Sequence, residues 1–218
     1  GLAFDPKDSQ GLNVGNNGGD QTIGAGESRT YTYYAHPSNK ETTSLVWDGG
    51  NIVVNPRNGL YGAIVVGPRG SQYRDPVTGA DISQKNSWRA DVIVDASLTE
   101  NAGKRNYRDV ALFFQDEDNI IGTAFMPYVQ NVAGLTSVNY RAEPYKFREE
   151  QGCSLGKIFQ PCAVDKPEDP ITPLIEAHAG DAIRIHVIGA NSEQNGMFGV
   201  EGHEWPIEPY MPGADMIS

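Results

Sequence analysis

The chain has 218 residues, 39% of them hydrophobic, and a formal charge of −11 from 17 basic and 28 acidic side chains. That length holds one large or two small domains around a real buried core, which excludes a disordered tail. The scattered Lys and Arg exclude a nucleic-acid partner, because phosphate backbones are bound by clustered cations; small cations and neutral or cationic partners suit the chain better.

From the N-terminus, GLAFDPKDSQ lacks the basic and apolar regions of a signal peptide, and no later run approaches the roughly 18 apolar residues of a membrane span. NVGNNGGD has glycines but no following helix or lysine, so a phosphate-binding loop is not expected. Short β-type runs then follow one another: TYTYYA (30–35), GAIVVG (62–67), ADVIVDA (90–96), DVALFFQD (109–116) and DAIRIHVIGA (181–190). Gly, Pro, Asn and Asp clusters such as DPVTGAD and VDKPEDPITP separate them, which predicts an all-β Greek-key sandwich. A division is expected between about Thr78 and Trp88, giving parts 1–83 and 84–218.

QDEDN (115–119) offers oxygen ligands for calcium but lacks the glycine and spacing of an EF-hand loop, so a solvated turn is expected. Cys153 and Cys162 bracket CSLGKIFQPC, too widely spaced for a Cys-x-x-Cys site. A small disulfide-closed loop is the simplest reading, with free thiols the alternative, and it favours an oxidising compartment: extracellular, cell-surface or periplasmic. In DAIRIHVIGA, alternation sets Ile183, Ile185 and Val187 on one face and Arg184, His186 and Ile188 on the other, with a surface or interdomain position expected for His186. His36 and His178 are expected to face solvent or an intersubunit site.

MFGVEGHEWP (197–206) resembles the multicopper oxidase signature His-x-Phe-His-x-His-Gly-His-x-Trp, in which three imidazoles bind copper. Phe198, Gly202, His203 and Trp205 match it, whereas the three ligand positions read Gly196, Gly199 and Glu201. The segment from Glu27 to Gly79 resembles the closing half of a cupredoxin domain, through GESRTYTYYA and NPRNGLYGAIVVGPRGSQYRDPVTG. The segment from Val110 to Ser218 resembles the opening half of the next domain. Together they cover nearly the whole chain and are most similar to the large bacterial manganese- or iron-oxidising enzymes and their ceruloplasmin-like relatives.

The resemblance implies parts of two consecutive cupredoxin-like domains, 1–83 and 84–218, of a copper-dependent oxidoreductase. Such an enzyme takes single electrons from Mn(II), Fe(II) or a phenol and reduces dioxygen to water. Copper is then expected in the parent protein and not in this chain alone: TSLVWDGGN stands where a His-x-His pair belongs, and no histidine lies between His36 and His178. His203 is the one candidate metal ligand, against a structural role beside Glu201 and Glu204. The alternative is a copper-free cupredoxin module with a structural or surface-interaction role. On the first reading the remaining domains, or partner chains, are expected to cover the faces around GAIVVG and FGVEGHEW.

Overall fold

The computed structural model describes residues 3–4, 22–36, 41–51, 55–56, 59–116, 136–138, 175–191, 197–207 and 213–217. Apart from a single 3-10 turn at Thr99–Asn101, the regular elements described are strands, so the chain is all-β. They are β1 (Ala3–Phe4), β2 (Tyr33–Tyr34), β3 (Thr42–Trp47), β4 (Tyr61–Val66), β5 (Gln72–Arg74), β6 (Arg89–Ile93), β7 (Tyr107–Asp116), β8 (Thr136–Val138), β9 (Ile183–Asn191), β10 (Trp205–Pro206) and β11 (Met216–Ile217).

Strand β7 organises the larger sheet. Its sequence YRDVALFFQD is rich in β-branched and aromatic residues, and Val110, Ala111 and Leu112 are all buried, as in a strand covered on both faces. One edge is shared by antiparallel β6, opposite Tyr107 to Val110, and antiparallel β8, opposite Phe114 to Asp116. The other edge carries β9 in parallel from Arg108 to Gln115, and β5 extends the sheet beyond β6. This pairing of Gln72–Arg74 with Asp91–Ile93 runs across residues 83 and 84.

A separate antiparallel pair, β3–β4, runs from Thr42 opposite Val66 to Trp47 opposite Tyr61. Its inner face carries Thr43 and Tyr61 and lies on the β7–β9 face of the larger sheet, which is the arrangement of a β-sandwich. The Tyr61 ring sits 5.7 Å from that of Phe113, and its hydroxyl donates to Gln115 Oε1 at 2.9 Å. On β9, Ile188 and Ala190 are buried on the side facing the pair, whereas Ile183 and Val187 on the opposite side are 41% and 46% exposed.

Side chains close the turns that hold these strands. In DPVTGA, Asp75 Oδ1 accepts from the backbone N–H of Val77 and Thr78 and from the Thr78 hydroxyl, at 3.0, 2.7 and 2.9 Å, and Gly79 takes the left-handed φ of 69°. Those bonds hold the exposed carboxyl below its ordinary value, with the Thr78 backbone contact the largest cause. Asn101 is buried, and its amide donates to the carbonyls of Arg69 and Asp95 at 2.9 Å each, tying the turn before β5 to the loop after β6. Replacing Asn101 by Ala strands two carbonyls, and urea denaturation should show a loss of about 2 kcal/mol.

Candidate functional site

His186 occupies β9 beside Ala111 of β7, with its imidazole turned towards the β3–β4 pair. Its Nε2 lies 2.7 Å from Asp109 Oδ1 and its Nδ1 2.5 Å from Thr43 Oγ1. An ionised carboxylate only accepts, so Nε2 carries a proton and donates to Asp109, while the Thr43 hydroxyl engages Nδ1. The His186 and Asp109 side chains are 13% and 8% exposed. Of the surface or interdomain position expected for His186, the surface alternative is corrected: Arg184, His186 and Ile188 do share a face, but that face is turned inwards, towards Thr43 of β3.

A second set of charges adjoins the first. Glu41, with a side chain 11% exposed, takes Lys104 Nζ at 2.8 Å on one carboxylate oxygen and Arg184 Nη1 at 2.7 Å on the other. The Arg184 guanidinium lies 4.2 Å from the Tyr107 ring centroid and donates to the Tyr107 hydroxyl at 3.0 Å. Burial pushes the Tyr107 and Tyr73 hydroxyls above their ordinary value of 10. Two cations, Lys104 and Arg184, face two anions, Glu41 and Asp109.

Beside this layer a cleft of about 720 Å³ opens between β4 and the larger sheet. Small side chains create the space: Ala63 on the pair faces the region of Ala90 and Ala111 on the sheet. Tyr61, Tyr73, Trp88 and Phe113 form aromatic walls, and Asp109 and His186 reach it from the polar layer.

The segment at 197–206 lies elsewhere. Phe198 packs against Phe114 of β7 and against Trp205, with ring centroids 5.9 and 6.2 Å apart. Gly202 supplies a φ of 74° in the bend between them. His203 is exposed, and its Nδ1–H donates to the backbone carbonyl of Glu201 at 3.0 Å. Where the resemblance calls for His-x-His, β3 runs into a turn closed by Asp48, whose Oδ1 accepts from Asn55 Nδ2 at 2.9 Å and Gly50 N–H at 2.7 Å.

The other candidates stand apart from both places. His36 is exposed with its ring edge-on to Tyr34, and the His178 side chain is 94% exposed, 3.5 Å from Asp181. Among the described residues no three His, Cys, Asp or Glu side chains converge to hold a metal ion. Cys153 and Cys162, residues 117–119 of QDEDN and all of NVGNNGGD lie outside the described residues. No known protein-family model matches the chain, and no curated protein is similar to it.

Sequence reasoning passed over Thr43, Asp109, Glu41 and Arg184 as site residues, although Asp109 gave a signal. In DVALFF it falls at the same alternation as Ala111 and Phe113, so an ionisable group shares a face with apolar ones. Two measurements check the polar layer. Asp109→Ala should cost about 3 kcal/mol by denaturation, whereas the double variant D109L/H186L should cost clearly less, because it leaves no buried charge unpaired and only the half-buried Thr43 hydroxyl to find another partner.

The second measurement is alkaline titration. The Tyr107 hydroxyl resists ionisation in the folded chain, whereas the unfolded chain releases that proton at the ordinary value of 10. Stability is therefore intact below pH 10 and falls as pH rises above it. A late tyrosinate absorbance step that coincides with unfolding is expected, and Tyr107→Phe should remove its contribution.

Proposed function

We propose that the chain is a scaffold portion of a cupredoxin-like multicopper oxidase. The whole protein would oxidise Mn(II), Fe(II) or a phenol outside the cytoplasm and reduce dioxygen to water. The observation that supports this reading is the packing at 197–206: Phe198 lies against both Phe114 and Trp205, while the matching ligand positions hold Gly196, Gly199 and Glu201. The packing half of the signature is kept and the imidazole half is not.

The residues present do not fit a copper ion. His203 offers one imidazole nitrogen, and Cu ions of this class need compact sets of imidazole or thiolate ligands. Copper therefore belongs to other parts of the protein, and the role of this portion is to hold strands and cover neighbouring faces. Elemental analysis and visible absorption of the whole protein test the reading. Several coppers per molecule with blue absorption are expected, and both should survive His203→Ala unchanged. Loss of copper on that substitution would mean that His203 is a ligand after all.

A copper-free module with a structural or surface-interaction role is the second reading. It is favoured by His186, the described histidine with the most enclosed contacts, whose two ring nitrogens are both engaged by Thr43 and Asp109. A whole protein without copper would decide for it.

A further inference from the structure

We infer that the cleft between β4 and the larger sheet binds an aryl monocarboxylate, with the carboxylate at its cationic rim and the rings against its apolar floor. The proposal does not rest on the oxidase reading, since neither copper nor electron transfer enters it. A space of about 720 Å³ falls within the roughly 300–1,000 Å³ of small-molecule sites.

Exposure and charge divide the lining. Lys85, Asn86 and Ser87 are exposed, whereas Tyr61, Ile82, Val110 and Ala111 are buried. An occupant therefore meets water and an ammonium group at one end and apolar surface at the other. That is the division of an amphiphile, with one charged group on an apolar body.

The rim is held in place by backbone bonds. The Ile82 N–H donates to the Tyr73 carbonyl at 2.9 Å, and the Lys85 N–H closes a turn on the Ile82 carbonyl at 2.9 Å. Further on, the Ala111 N–H donates to the Trp88 carbonyl at 2.8 Å, and Ser87 Oγ donates to the Arg89 carbonyl at 2.6 Å. The Arg89 guanidinium lies 4.9 Å from the Trp88 ring centroid, which sets the position of the second cation. Little ordering of this segment is then left for a ligand to impose.

Charge selects the sign of the head group. Lys85 and Arg89 stand against the single carboxylate of Asp109, and that carboxylate already accepts from His186 Nε2. The lining thus carries a formal excess of one positive charge, which an organic cation would oppose and a monoanion would match. A dianion would exceed it inside a chain of charge −11. Charges in the lining act on the occupant at close range, whereas salt screens the rest of the chain beyond about 10 Å.

Rings suit the body better than a flexible chain. Arg89 occupies the Trp88 ring, so the aromatic contacts left to an occupant come from Tyr61, Tyr73 and Phe113. Offset or edge-to-face packing on such side chains adds to plain area burial, and a rigid ring system loses little freedom on entry.

Calorimetric titration of the full protein tests this with naphthylacetate and with ligands that each change one property. Naphthylethanol removes the charge, naphthylethylammonium reverses it, naphthyl phosphate doubles it, and decanoate replaces the rings by a chain. Saturable binding of naphthylacetate is expected, about tenfold or more tighter than each of the others. Lys85→Gln, at an exposed position, should weaken it several-fold, and Lys85→Arg should retain it. Ala63→Leu fills the floor and should abolish binding, with near-UV circular dichroism checking the fold; if that variant does not fold, the Lys85 pair decides. No binding of naphthylacetate, equal or tighter binding of any comparator, or full affinity in Lys85→Gln or in folded Ala63→Leu would overturn the proposal. Naphthylacetate has no phenolic hydroxyl to oxidise and copper content is read separately, so either conclusion can fail without the other.

Discussion

A layer of buried polar groups between two sheets governs this structure. Thr43, His186 and Asp109 come from three different strands, and Glu41 joins Lys104 to Arg184 across the same gap. Charges and hydroxyls taken out of water are tolerated only when each finds its partner at hydrogen-bonding distance. Apolar surfaces slide past one another at small cost; this layer does not. Shifting β3 by one residue would turn Thr43 away from His186 and leave Asp109 with a histidine of the wrong hydrogen-bonding pattern, so the layer fixes both register and facing. The cleft follows from that constraint. With the two sheets pinned by the polar contacts and by Tyr61 on Phe113 and Gln115, alanines at the facing positions cannot be compensated by closer approach.

How much of this was legible in the sequence differs by element, for physical reasons. Strands β4, β7 and β9 stand out because each is a run of β-branched and aromatic residues bounded by turn formers. TYTYYA carries the same chemistry, yet only Tyr33 and Tyr34 pair as a strand, since propensity does not provide a partner. Strand β3 escaped because TTSLVW runs directly into DGGN, and the resemblance drew attention to the ligands missing there rather than to the strand present. The polar layer was harder still. Periodicity says which residues of β9 share a face but not which face is inside, and here both faces carry isoleucine. The choice was made by residues more than 70 positions away, Asp109 and Thr43, which no local window contains.

The segment 197–206 separates two demands that usually coincide. A bend that docks on β7 needs large aromatic side chains at Phe198 and Trp205 and a glycine able to take positive φ at Gly202. Metal binding would need a set of imidazoles, and the described part of the bend supplies only His203. On the proposed reading, the segment keeps its packing as architecture without that chemistry.

The same separation applies to charge. Because Lys104 and Arg184 match Glu41 and Asp109 in formal charge, the excess of 11 negative charges belongs to the rest of the chain. An acidic chain draws cations towards the protein as a whole, whereas the cleft has a local field of its own, with Lys85 and Arg89 in its lining beside Asp109.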